Sequence, residues 1–472
     1  MATEGDKAGA KRVRLGRILE LLKEHVTAAL CASVFVKVRH RERQREWTLW
    51  LLVRFWIEVI LRAPESLSQA LVDAQEGRMG LVCGVETTDQ AFFQRSRKLR
   101  WEFFAELFHR FVGTLSEAVP GAFCGQLTGL RERFTDVFAI DGSRLASVAR
   151  RLKILQNVKA VVLPGCLIAV YDLFRGFPRL LRFCGDAAKA EMTRAKEALQ
   201  VLGEGRIRAG SLLIGDRLYC TADYFGELSR NRLWGLFRRN RTLKLSKMRG
   251  GRVGKSRIKV PGFRTAWRLE ECLVKAGLGQ GMRTQILRRI RLKAGRRVYE
   301  WLTNVLDPAL LPAHEIPELY YRRWTIERMF YDLKEVLNLN RVYAANPNAV
   351  GLQVYAAGMV YAAMRVAQAE AARQAGIQPE AISPQKFFPR AAAACATYAI
   401  SEHTVEQMIR MNPEVELRRP TYARSRFATI SVKAILVKQR SPFRRKRKFS
   451  PEAKTWKSFA HLRGGSAYLD GN

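Results

Sequence analysis

From about residue 134 onward the spacing of apolar residues changes from helical to strand-like, and no other feature constrains the fold of this chain as strongly. Phe134 to Ile140, Gly165 to Leu173, Leu180 to Phe183, Leu212 to Ile214 and Leu233 to Phe237 are short apolar runs bounded by glycine or charged turns, the pattern of buried strands. Helical segments are predicted from about 187 to 202 and from 221 to 231. Three strands in succession, then helices alternating with strands, predict an α/β fold built on a mixed sheet flanked by helices.

Residues 1 to about 130 read as helical. An aromatic amphipathic segment with Trp47, Trp50, Phe55 and Trp56 ends before Pro64, and its apolar stripe is a core face. A second helix follows Pro64. A third starts at Thr87-Thr88-Asp89, whose capping residues precede a basic helix ending in Arg95-Ser96-Arg97-Lys98. A short helix, a glycine-containing link and a basic helix have the make-up of a DNA-binding helix-turn-helix, although any basic surface helix in so basic a chain would look the same. Residues 238 to 306 are rich in glycine and arginine, with strand-like pieces at Arg257 to Val260 and Arg296 to Leu306, and read as an insertion interrupting the sheet domain. After residue 350 come Ala-rich helices, Leu352 to Gln374 and Phe387 to Ala399, suited to packing or a dimer surface. The basic end, with Lys438, Arg440, Arg444, Arg445, Lys446, Arg447 and Lys448, is an electrostatic arm or a structureless tail.

The charge balance narrows the class of partner. With 82 Lys plus Arg against 43 Asp plus Glu, the formal net charge is +39. A polyanion is the natural partner. Between Arg238 and Arg297 there are 20 basic residues against Glu270 and Glu271, so this segment carries +18 of the +39, which favours nucleic acid over a small acidic substrate. The eight cysteines are scattered without a CxxC pair and the histidines are not clustered, so neither structural zinc nor a disulfide framework is indicated. The apolar run Leu49 to Leu61 is interrupted by Arg54 and Glu58 and is too short to cross a membrane, and the amino terminus lacks a signal-peptide core. The expected location is the cytoplasm. No P-loop or GxGxxG is present, so no nucleotide cofactor is expected.

Cutting or transferring a phosphodiester requires charge neutralisation at phosphorus and an activated oxygen nucleophile, which divalent cations held by carboxylates supply. Asp141 directly follows Val137-Phe138-Ala139-Ile140, and Asp216 directly follows Leu212-Leu213-Ile214-Gly215. A single Asp after a strand is more often a turn residue. The third acid lies in the stretch from Tyr320 to Lys334. Helical spacing there sets Tyr320, Arg323, Glu327 and Lys334 within an arc of about 60°, beside a separate apolar stripe of Ile326, Met329, Phe330, Leu333, Val336 and Leu337. One carboxylate thus sits in a strip of phosphate binders, although Arg323 and Glu327 are also an ordinary i,i+4 ion pair. Asp136 inside the first strand, Asp186 as a helix cap, and Asp223 and Glu227 on a helix surface have simpler explanations.

The spacing of Tyr320, Arg323, Glu327 and Lys334, with Trp324 and Ile326 between, resembles the YREK signature of insertion-sequence transposases of the insertion sequence 4 type. Asp141-Gly142-Ser143 resembles that family's first catalytic Asp motif, and Asp216-Arg217-Leu218-Tyr219 its second, so the resemblance covers roughly 134 to 345. Leu218 stands where the family commonly has a small residue. The resemblance implies an RNase H-like mixed-sheet core over 131–237 and 307–345 with a basic β-rich insertion at 238–306, a helical end-binding region at 1–130 and a helical C-terminal region with a basic tail at 346–472. It implies that Asp141, Asp216 and Glu327 form the catalytic triad and bind two Mg²⁺ ions, with Mn²⁺ able to substitute. It further implies that Tyr320, Arg323, Lys334, Trp301 and Tyr219 contact DNA, Trp301 as the aromatic that stabilises a flipped base where cleavage passes through a hairpin, although Trp301 reads equally well as a core residue of a strand from Tyr299 to Val305. Its partners would be terminal inverted repeats and target DNA, met by a homodimer in a synaptic complex. The implied function is cut-and-paste transposition; the alternatives are a non-catalytic DNA-binding derivative and a metal-dependent nuclease.

Overall fold

The computed structural model describes residues 12–38, 47–82, 88–119, 121–127, 129–144, 166–184, 192–193, 195–197, 207–258, 267–277, 284–294, 296–344, 346–411 and 429–437. The chain opens with strand β1 (Arg12–Arg14) and helices α1 (Arg17–His25), α2 (Ala28–Val38), α3 (Leu49–Arg62), α4 (Leu67–Gln75), α5 (Asp89–Lys98), α6 (Glu102–Ala118) and α7 (Gly129–Arg133). Their starts follow the capping chemistry: Thr48, Ser66 and Thr88 each accept a hydrogen bond from the backbone N–H three residues on. The expected cap at Thr88 and the helix end before Pro64 are both observed. Trp47 packs edge-on against Phe55 and Phe92, and Phe92 is tilted against Phe55 and Trp56, forming the N-terminal core.

Next come β2 (Val137–Arg144), β3 (Cys166–Asp172), β4 (Pro178–Cys184), β5 (Leu212–Gly215), α8 (Ala222–Arg230) and β6 (Trp234–Arg238). Each of these strands overlaps an apolar run read from the sequence. The helix expected over 187–202 lies mostly outside the described residues; 192–193 and 195–197 are helical. β2 pairs antiparallel with β3 and β3 with β4, while β5 pairs parallel with β2 and β6 parallel with β5. This order, β4-β3-β2-β5-β6 with one antiparallel wing, is RNase H-like.

The sheet continues through β7 (Leu245–Ile258), β8 (Trp267–Ala276), β9 (Gln285–Ala294) and β10 (Arg297–Thr303). β10 pairs antiparallel with β6, then with β9, which leads through β8 to β7. The segment read as an insertion therefore lengthens the core sheet to nine strands.

Strand periodicity explains why β2 needs cover on both sides. Val137 and Ala139 belong to one buried cluster, Phe138 and Ile140 to another, and β3 alternates the same way. One face of the sheet is covered by α8 with Tyr219, Tyr224, Phe225 and Phe237. The other is covered by α9 (Ile316–Tyr321), α10 (Trp324–Tyr331) and the long α11 (Pro347–Ala375), followed by α12 (Pro384–Met411). Asn346 caps α11, and Gly376 ends it in the left-handed region at φ 72°. α11 packs against α6, α3, α1 and β4. Gly351 permits that approach: a Cβ there would lie 2.4 Å from Cβ of Trp101. α11 is long and apolar enough to cross a membrane by composition, but 94% of its apolar window is buried inside the fold, as expected of a core helix. The chain ends, among the described residues, with β11 (Thr429–Ser431), which pairs with β1, and the short helix Val432–Ile435. The basic tail from Lys438 lies outside the described residues.

The stretch Tyr320 to Lys334 is not one regular helix. Between α9 and α10 the bonds tighten to i→i+3: Arg323 N–H donates to the Tyr320 carbonyl, Thr325 to Arg322 and Ile326 to Arg323. After α10 a π turn spans Asp332–Val336, with Leu337 N–H donating to the Asp332 carbonyl. At the joins, Arg322, Arg323, Tyr331 and Asp332 keep right-handed helical dihedrals.

Candidate active site

Asp141 extends the alternation of Val137 and Ala139, so its side chain and that of Ser143 point to the sheet face on which α10 packs. Gly142 N–H donates to Asp141 Oδ1 at 2.9 Å. At the N-cap of α10, Arg323 reaches two carboxylates: Nη2 lies 2.7 Å from Glu327 Oε1, and Nη1 lies 3.4 Å from Asp141 Oδ2. Lys334 Nζ donates to Ser143 Oγ at 2.7 Å. Two cations of the motif are thus tied to alternate residues of the central strand. Asp216 follows β5, the parallel neighbour of β2, and accepts a hydrogen bond from Leu218 N–H at 2.7 Å. The turn this bond closes is the ordinary role of an Asp after a strand, and it also fixes the carboxylate.

The electrostatics follow from partial burial. Burial pushes the Glu327 carboxyl up, Arg323 opposes this, and the like charge of Asp216 adds to it. Burial works against the Arg323 charge, but Tyr320, Glu327 and Asp141 outweigh it and hold the guanidinium above its usual range. Its cation lies 5.1 Å from the Trp324 ring centre and 5.9 Å from that of Tyr320. Burial lowers Lys334, with Glu335 opposing. Burial pushes the Tyr320 hydroxyl up to about 12.

Three carboxylates are a donor set suited to Mg²⁺, which takes hard oxygen ligands and leaves positions for water and phosphate. Among the described residues, however, no three His, Cys, Asp or Glu side chains are gathered closely enough to hold a metal. Arg323 lies between two of the three acids. Asp136, expected inside the first strand, lies just before β2 and pairs with Arg175 and Arg208, while Asp223 and Glu227 lie on α8 as expected and pair with Lys196 and Arg230. Asp186 lies outside the described residues.

Two aromatics expected at DNA are inside the protein. Tyr219 is 0% exposed and packs against Tyr224 and Phe237. Trp301 is 4% exposed on β10, stacked on Tyr299 and tilted against Tyr320. Neither can stack on a base in this arrangement. Ser143 was not singled out from the sequence; its place two residues after Asp141, on the same strand face, was the available signal.

Asp332, the first residue of the π turn, is 2% exposed, and burial raises its carboxyl to about 7 against the pull of Arg365 and Arg328. The unfolded chain ionises it near 3.8, so the stability linked to its proton is complete below that pH and is lost as pH rises to about 7. Asp332→Asn cannot ionise and should flatten this loss. Thermal melts from pH 4 to 8 check it: variant and wild type should converge at low pH, and the variant should be the more stable above pH 7.

Residues 164–363 match the family model described as Transposase DDE domain. The transposase-type sequence y4zB of Sinorhizobium fredii is 29% identical over 202 residues, covering 42% of this chain and 52% of that protein. A transposase-type sequence for the insertion sequence element IS4SA of Synechocystis is 40% identical over 52 residues, 11% of this chain and 15% of that protein. The chain therefore spans about half the length of the first relative and less of the second. Among solved structures, a cryo-EM structure of the piggyBac transposase synaptic complex with hairpin DNA aligns over 92% of this chain and 87% of that one, at 11% identity and a TM-score of 0.36.

Proposed function

We infer, for a chain that belongs to the DDE transposases of insertion sequence 4 type, that it cuts the ends of a mobile DNA element and joins the freed 3′-hydroxyl strands to target DNA. The observation that carries this reading is the contact of Arg323 with Asp141 and Glu327, together with that of Lys334 with Ser143. These bonds unite the strand with the first acid and the helix with the last, across 182 and 191 residues of sequence. A surface salt-bridge ladder would not reach the central strand.

In this reading Asp141, Asp216 and Glu327 hold divalent cations, two Mg²⁺ by the family resemblance, which when bound neutralise phosphate charge and activate the attacking oxygen. Gly142 N–H and Leu218 N–H keep the two aspartates oriented. Arg323 offers a planar fork to phosphate and Lys334 a point charge, so one orients the strand while the other neutralises it. Tyr320, half-buried and un-ionised at neutral pH, can donate to phosphate oxygen. Tyr219 and Trp301 support the core, and a DNA role would require them to leave it. We place the protein in the bacterial cytoplasm, acting as a homodimer on two element ends.

Because binding would release counterions, affinity for duplex DNA is expected to fall by about 10³–10⁵ between roughly 50 and 200 mM salt, as for about 6–10 phosphate contacts. Filter binding across that range checks it; a flat response would remove nucleic acid as the partner. Joined 3′ ends among the products favour a transposase over a simple nuclease, whose products would all have free ends.

A further inference from the structure

We propose that Arg323 closes the carboxylate site to divalent cations until a DNA phosphate draws it away, so that metal entry and DNA binding are coupled through this one side chain. The proposal rests on the reading above and adds to it an order of events. Arg323 is 8% exposed, and its two terminal nitrogens face acids on different elements, Glu327 on α10 at 2.7 Å and Asp141 on β2 at 3.4 Å. The rings of Trp324 and Tyr320 stand beside the guanidinium. A cation is thus already present between two of the three donors, and no three donors are gathered among the described residues.

A Mg²⁺ ion needs carboxylate oxygens at about 2.0–2.1 Å in near-octahedral array, which a bridging guanidinium excludes by both volume and charge. A phosphate offers the guanidinium the same planar, bidentate acceptor pair that a carboxylate does. Transfer of Arg323 from the acids to phosphate removes its positive charge from beside Asp141 and Glu327, and the negative charge left uncompensated there, with that of Asp216 near Glu327, then favours metal. By linkage, metal must tighten DNA binding by the factor with which DNA tightens metal binding. Lys334, bonded to Ser143 Oγ, is positioned to follow the same exchange.

The test measures Mn²⁺ binding to the full chain by electron paramagnetic resonance, with and without a saturating duplex carrying the inverted repeat that flanks its gene. Circular dichroism establishes that each variant is folded. Without DNA, Arg323→Gln should bind Mn²⁺ more tightly than wild type, by a factor in the range of roughly 5–150 typical of coupled sites. The duplex should tighten Mn²⁺ binding to wild type and leave the variant nearly unchanged. Arg323→Lys, which keeps the charge but loses the fork, should fall between them. Equal Mn²⁺ affinity of wild type and Arg323→Gln without DNA, or equal tightening of both by the duplex, overturns the proposal. If wild type still cuts the duplex in that case, the transposase reading survives; if wild type with duplex neither takes up Mn²⁺ nor cuts, both fall.

Discussion

Glu327→Gln should lower cleavage of an element end by at least about 10³-fold, the scale on which essential catalytic groups act, while DNA affinity stays the same or rises slightly. The substitution keeps the size of the side chain and removes one negative charge. The amide oxygen can still accept from Arg323, which loses the charge of its 2.7 Å partner but keeps Asp141, so the contact between α10 and β2 survives. Glu327 is one of three acids available to neutralise phosphate charge through a cation, and an amide oxygen is a far weaker ligand than a carboxylate. Single-turnover cleavage beside a binding isotherm at the same salt separates the two effects. A variant that binds and cuts within tenfold of wild type would move the catalytic acid elsewhere.

Arg288→Ala should destabilise the fold by about 3–5 kcal/mol, the cost of breaking a buried ion pair from one side. Arg288 is 0% exposed in β9; its Nε donates to Glu271 Oε2 at 2.8 Å and its Nη1 to the Leu311 carbonyl at 2.7 Å. Removing it strands a partly buried carboxylate on β8 and a carbonyl in the connection to α9. That connection leads into α9 and from it to α10, which bears Glu327, so activity should fall together with the urea midpoint. Arg288→Met with Glu271→Leu should recover much of the loss, because an apolar pair of similar volume leaves no charge unmatched. A loss for Arg288→Ala of only about 1 kcal/mol would mean that this pair behaves as a solvent-screened surface bridge.

The central strands were legible because β2, β3 and β5 are buried on both faces and must be apolar throughout. β8 and β9 were not, because they read Arg268-Leu269-Glu270-Glu271 and Arg288-Arg289-Ile290-Arg291, with an arginine as a core residue. A strand whose buried face includes a paired charge has no clean period. The long α11 was visible from its alanines, but its cover by α6, α3 and α1 depends on contacts far apart in sequence.

At the site, the two readings of Arg323 and Glu327 proved compatible. They form the ordinary i,i+4 pair, and the same guanidinium also reaches Asp141. Chain order cannot show that second contact, since it depends on how α10 docks on the sheet. Nor could it show that Tyr219 and Trp301 are covered, because an aromatic residue in a strand or turn suits a core and a ligand surface equally well.

The most direct measurement is excision of an element from a plasmid that carries the repeats flanking the gene, with Mg²⁺ or with EDTA, using wild type and Asp216→Asn at concentrations where both bind DNA. The account predicts that wild type with Mg²⁺ alone releases the element and joins its 3′ ends to target DNA. Release by Asp216→Asn, or by wild type in EDTA, would contradict it.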